Sequence, residues 1–142
     1  MSTGVEPVEE STAEESPIAA NADVVRARQT VRALAQQARL SLVDQTKLVT
    51  AASELARNTL TYGGGGTMRV SVVTRGVKTG VKVLFRDDGP GIADLDLALT
   101  DGWSSGKGMG LGLSGARRLA DEFDIVSAPG EGTQVVVVKW AR

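Results

Sequence analysis

The chain has 142 residues and a mass of 14.8 kDa, enough for one ordinary domain around a single core and too little for two. It contains no cysteine and no histidine, which excludes disulfides, thiol nucleophiles, Ser-His triads and the usual zinc and haem sites, and leaves proton transfer to a carboxylate, Lys or Tyr. The formal net charge of −1 hides an uneven distribution: six of the 17 acids lie between Glu6 and Asp23, ahead of the first base at Arg26, so residues 24–142 carry 11 acids against all 16 bases, a net +5.

Residues 1–20 mix Ser, Thr, Glu, Pro and Ala with few large apolar side chains. Such a segment buries too little to offset the entropy of ordering it, and it reads as a disordered acidic tail, most simply a solubilising linker, ahead of a domain over 23–142. It lacks the basic start and apolar core of a secretory signal, and no window approaches the roughly 18 apolar residues of a membrane span, so a cytoplasmic protein without a membrane partner is expected.

From Asp23 to about Arg39, Val24, Ala27, Val31, Leu34, Ala35 and Ala38 recur at steps of three and four, the pattern of a helix with one apolar face. The arginines between them read as a solvated surface, because no aromatic stacking residues accompany them; nucleic acid is not expected as a partner. A second helix is predicted from Ser41, with Asp44 in capping-box-like spacing, to about Leu60, where Tyr62 and Gly63 to Gly66 stop it. Met68–Arg75 and Val81–Asp87 alternate apolar and polar residues on either side of a Gly-containing connection, an antiparallel hairpin. Asp88–Ile92 is a loop and Asp94–Thr100 a short helix. Leu111, Leu113, Ala116, Leu119, Ala120 and Phe123 mark a third substantial helix, and Ile125–Ala128 with Val135–Val138 closes the chain as a second strand pair. The predicted architecture is α+β, a two-layer sandwich with a mixed, mostly antiparallel sheet covered by helices on one face.

The 17 glycines exceed the roughly 7% background, and eight of them fall in three segments with chemical potential: 89–91, 106–112 and 130–132. On the second helix, Glu54 and Asn58 are four apart and share a face, so both can act on one ligand: the Asn carbonyl oxygen suits a hard cation and the Glu a hydroxyl proton. A solvated helix pair is the plainer reading of that spacing alone. Asp87-Asp88-Gly89-Pro90-Gly91 ends a strand with a carboxylate able to accept from an exocyclic amine, or is an ordinary tight turn. Gly106-Lys107-Gly108-Met109-Gly110-Leu111-Gly112-Leu113 runs directly into a helix, an arrangement that can cradle phosphate or serve as a lid. It matches neither a Walker loop nor a Rossmann turn. Gly130-Glu131-Gly132-Thr133 reads as a hairpin turn whose threonine can offer a hydroxyl to a base.

Four such segments in this order resemble the N box and three glycine boxes of the GHKL superfamily of ATPases and kinases, with its Bergerat-type fold. Within that superfamily, Ser53–Asn58, Asp101–Ser105, Leu119–Phe123 and Lys139–Arg142 are similar to the RsbT type of switch kinase found in bacterial partner-switching systems and the stressosome. The resemblance implies that Asn58 holds Mg²⁺ on the phosphates of ATP and that Glu54 acts on the substrate hydroxyl. It further implies that Asp87 binds the adenine amine with Thr133 nearby, and that Gly89 and Gly91 belong to the ATP-binding site, Gly91 making room for the base. Gly108, Gly110 and Gly112, with Met109 and Leu111 between them, would wrap the phosphates, Lys107 being placed there by position alone. The chain departs from the superfamily in its run of four glycines at 63–66, in a shortened lid, and in having Thr59 to Tyr62 where many members carry a histidine.

The expected function is that of an ATP- and Mg²⁺-dependent serine/threonine protein kinase that phosphorylates a STAS-domain antagonist and, once released, activates a phosphatase. An anti-sigma factor kinase of the same fold, which sequesters a sigma factor, is the alternative. A nucleotide-holding module without turnover is a third reading, disfavoured by the intact Glu54.

Overall fold

The computed structural model describes residues 5–100 and 112–142. In chain order its elements are β1 (Glu9–Ile18), α1 (Asn21–Gln37), α2 (Leu42–Thr61), β2 (Gly66–Arg75), β3 (Lys78–Asp87), α3 (Leu95–Ala98), α4 (Gly112–Leu119), β4 (Glu122–Ser127) and β5 (Thr133–Trp140). The strands form one sheet in the order β1-β2-β3-β5-β4. All four pairings are antiparallel, so the mixed sheet expected from the sequence is antiparallel among the described residues.

The periodicities explain the layers. Val24, Ala27, Val31, Leu34 and Ala35 of α1 and Leu48, Ala51, Ala52, Leu55 and Ala56 of α2 are buried in one core. Across from them lie Met68, Val70 and Val72 of β2, Val81, Val83 and Phe85 of β3, and Val135 and Val137 of β5, every second residue along each strand. Ser41 caps α2 by accepting from the Asp44 N–H at 3.1 Å. Asp23, in the first turn of α1, accepts from the Ala19 and Ala20 N–H groups at 2.8 and 3.0 Å. On the opposite face of the sheet Val73, Val136, Val138 and Trp140 form a smaller apolar cluster against which Val5 and Val8 pack.

The leader corrects the expectation of a disordered tail. Residues 9–18 run antiparallel to β2 along the sheet edge, and Ile18 is fully buried. A strand needs backbone partners more than apolar side chains, and the exposed edge of β2 supplies them. The acids of the leader also meet the basic body: Arg69 pairs with Glu10 at 2.6 Å and with Glu15 at 2.7 Å. A second correction concerns the third helix, which ends at Leu119. Phe123 lies instead on β4. Asp121 ends the helical path because its N–H donates to the Val138 carbonyl at 2.9 Å and its carboxylate accepts from the Trp140 N–H at 2.8 Å, drawing the chain into the sheet.

Asp121 and its neighbour Glu122 hold the last strand in place. The Arg75 guanidinium, donating at 2.7 and 3.1 Å, holds the Glu122 carboxyl below its usual 4.5; burial opposes this and the Trp140 indole N–H at 2.6 Å reinforces it. Burial pushes Asp121 up, but the Trp140 amide, Lys139 and Arg142 outweigh it and leave the group below its usual 3.8. Depressed native values mean that this stabilisation is complete above the unfolded values and disappears as pH falls through the native ones. Urea denaturation should therefore show stability declining below about pH 4.5, with a shallower decline in Glu122→Gln. Ile18→Ala should lower unfolding free energy by roughly 2–5 kcal/mol, whereas a disordered leader would make the substitution neutral.

Candidate functional site

The site is built at one end of the sheet, under the C-terminal half of α2. Asp87 is the cross-strand partner of both Gly66 on β2 and Thr133 on β5. Thr133 in turn pairs with Ser127 on β4. Directly opposed residues share a face, so these four positions form a rung on the side that faces the helices. The sequence separates Asp87 from Thr133 by α3, α4 and β4; the ladder makes them neighbours.

α2 ends where the site needs it to end. The Tyr62 and Gly63 N–H groups both donate to the Asn58 carbonyl, at 2.9 and 3.2 Å, and Gly65 N–H donates to Thr59 at 2.9 Å. Gly64 and Gly65 take positive φ values of 74° and 101°, which returns the chain directly into β2. Gly63 lies against the Asp87 carboxylate, so closely that a Cβ there would collide with it. The glycine run is thus part of the site.

Two further glycines serve the same close packing. Gly91 has φ 76°, and a Cβ there would strike the Ala128 carbonyl oxygen; a Cβ at Gly132 would strike the Asp87 carbonyl oxygen. The missing side chain of Gly91 therefore lets the loop lie on the β4–β5 turn. Gly89 packs on the Gly63 backbone and donates its N–H to Asp87 Oδ1 at 2.9 Å.

Between α2, the 90–98 segment and the start of α4 lies a cavity of about 440 Å³, within the range of small-molecule sites. Of the residues singled out in the sequence, Asn58, Asp87, Gly91, Gly112 and Thr133 line it. The apolar walls of Leu55, Phe85, Ile92, Leu97, Leu113 and Val135 were missed as site residues. Nothing in a hydrophobic period separates a residue that fills a core from one that faces a cavity in it. Tyr62, Gly63 and Asp94, which the sequence places only at helix ends, also line the cavity.

Asn58 Oδ1 is buried and has no hydrogen-bond partner among the described residues. A buried acceptor left unmet costs about 1–3 kcal/mol, and a neutral amide oxygen on a residue that lines a cavity is chemically suited to a hard cation. Among the described residues no cluster of three acids exists that would hold a metal by protein groups alone, so a cation at Asn58 would need ligand oxygens as well. Glu54 lies one helical turn before Asn58, outside the cavity lining formed by the described residues, with Arg57 at 3.7 Å. Lys107, Gly108, Met109, Gly110 and Leu111 lie outside the described residues, as do Asp101–Ser105; Gly112, with φ 62°, opens α4 at the cavity rim.

Residues 43–141 match the family of histidine kinase-, DNA gyrase B- and HSP90-like ATPases, and the chain belongs to that family. It is 43% identical over 120 residues, 84% of its length and 90% of the relative's, to serine/threonine-protein kinase RsbT of Bacillus subtilis (strain 168). That similarity places it among the RsbT-type, ATP-using protein serine/threonine kinases of partner switching. In fold it resembles the crystal structure of the RsbU and RsbW domains of Rv1364c from Mycobacterium tuberculosis, with a TM-score of 0.64 at 18% identity. That match covers 93% of this chain and about a third of the larger one.

The glycines permit a test of how closely the site is packed. Gly64→Ala meets no neighbour within 4 Å among the described residues and should cost only the left-handed backbone penalty, about 1–2 kcal/mol. Gly91→Ala adds collision with the Ala128 carbonyl and should cost roughly 3 kcal/mol or more in urea unfolding, with measurable loss of nucleotide affinity.

Proposed function

We propose that the chain binds ATP with Mg²⁺ in this cavity and transfers the γ-phosphoryl group to a serine or threonine of a small STAS-domain antagonist. The observation that carries the reading is the convergence of Asn58, Asp87, Thr133 and Gly112 on one cavity in a chain so similar to a serine/threonine kinase over most of its length. Asp87 and Thr133 offer acceptors for the amine of adenine. The apolar walls take the flat base, and the opening of α4 faces the phosphates.

Mg²⁺, when bound, would be held by Asn58 Oδ1 together with phosphate oxygens and would neutralise their charge. Phosphoryl transfer demands mainly in-line positioning and electrostatic stabilisation. The substrate hydroxyl oxygen bonds to the γ-phosphorus as the bond to the β-phosphate bridging oxygen breaks, ADP leaves, and Glu54 receives the hydroxyl proton. By analogy with partner-switching systems, the unmodified antagonist sequesters the kinase, and phosphorylation frees it to bind and activate a phosphatase.

Incubation with Mg-ATP and the STAS-domain protein encoded nearest in the genome should add 80 Da per site, the mass of one phosphoryl group replacing hydrogen, in about stoichiometric yield. Glu54→Ala should reduce transfer by at least about 10²-fold while leaving ATP affinity within about twofold. Wild-type protein that transfers no phosphate to any such antagonist, or that co-elutes with a sigma factor and no phosphatase, would contradict the reading.

A further inference from the structure

Ser127 was not singled out from the sequence, and it does not line the cavity. Its hydroxyl nevertheless joins three segments of the site. The Ile92 N–H, just past the Asp87–Gly91 turn, donates to Ser127 Oγ at 2.8 Å. The Gly132 carbonyl lies at 2.9 Å and the Thr133 hydroxyl at 2.8 Å.

A hydroxyl has one proton and two lone pairs. The amide of Ile92 can only donate, so it occupies one lone pair. The carbonyl of Gly132 can only accept, so it takes the single proton. The remaining contact with Thr133 must then be one in which Ser127 accepts, and the Thr133 proton is committed to it. Thr133 Oγ1 is left with lone pairs alone to present to the cavity it lines. Asp87, its partner across β3 and β5, is likewise an acceptor, with Oδ1 receiving the Gly89 N–H.

We propose that Ser127 is a positioning residue for base recognition: by holding the Thr133 proton, it fixes that hydroxyl as a pure acceptor beside Asp87 and so favours a purine bearing a 6-amino group over one bearing a 6-oxo group. A 6-oxo group facing two acceptors has no donor to meet. Without Ser127, the Thr133 hydroxyl is free to rotate and donate, and the 6-oxo base is tolerated. The inference rests on the nucleotide reading above and adds to it a residue that touches no ligand.

Calorimetric affinities for Mg-ATP and Mg-ITP test it, since the two differ at the 6-position edge. Wild-type protein should prefer ATP. Ser127→Ala should narrow the ATP:ITP ratio by about tenfold, the effect of one hydrogen bond changing sign. Ser127→Thr, which keeps the hydroxyl, should retain the wild-type ratio. Thr133→Val removes the acceptor while leaving the Ile92 and Gly132 contacts intact; it should narrow the ratio too, and adding Ser127→Ala to it should change the ratio no further. Thr133→Val also supplies the decisive measurement if Ser127→Ala does not fold, because an unchanged ratio there overturns the inference. Equal weakening of both nucleotides by a folded Ser127→Ala would reduce Ser127 to a structural tie and overturn it as well. Wild-type protein that binds neither nucleotide would overturn the nucleotide reading, and this inference with it.

Discussion

The rung formed by Gly66, Asp87, Thr133 and Ser127 across four strands is the constraint on which the site depends. It sets an acid and a hydroxyl side by side at a sheet end, under the helix that brings Asn58. Backbones must approach closely around it. Gly63 lies on the Asp87 carboxylate and Gly132 on the Asp87 carbonyl, while Gly91 lies on Ala128, and each contact excludes even a methyl group. At Gly63, Gly91 and Gly132 the missing side chain is therefore a packing requirement of Asp87 and the loop that follows it, and Gly91 and Gly132 also need the freedom that their positive φ values demand.

Rigidity on one side of the cavity is matched by chemistry left incomplete on the other. The rung is tied by strand pairing and by the Ser127 hydroxyl, whereas Asn58, which lines the cavity, has a buried Oδ1 without a partner among the described residues. A buried acceptor is tolerated in a native fold where a ligand can meet it. The Asp87–Thr133 end of the cavity is thus organised by the protein itself, and the Asn58 end keeps an acceptor unmet. Such a division suits phosphoryl transfer, in which a fixed base anchors the nucleotide while its phosphates and cation complete the charge balance.

Distribution of charge shapes the rest of the molecule. The near-neutral total resolves into an acidic leader and a body of net +5, and the fold brings the two together. Glu10 and Glu15 reach Arg69 from the edge strand, while Arg75 takes Glu122 from β4 and the Glu6 and Pro7 carbonyls from the leader. Arg75 also lies 5.0 Å from the Trp140 ring centroid. Exposed pairs of this kind contribute little individually. They add to the backbone ladder with β2 that makes an apolar-poor segment a strand on the body's own sheet edge.

From the sequence alone, the helical faces of α1 and α2, the β2–β3 hairpin and the Ser41 cap were legible, because each rests on a period or a contact within a few residues. Asn58, Asp87, Gly112 and Thr133 could be selected because their boxes occur in a fixed order along the chain. Three things were decided only by tertiary structure. The leader became β1 because the free edge of β2 lies far away in sequence. Phe123 joined β4 because Asp121 bonds to β5. Ser127 joined the rung and the loop after Asp87 because strand pairing sets it beside Thr133 and the turn sets it beside Ile92. Local propensity determines which elements form and which residues can do chemistry; long-range pairing determines which of those residues meet and which way their protons point.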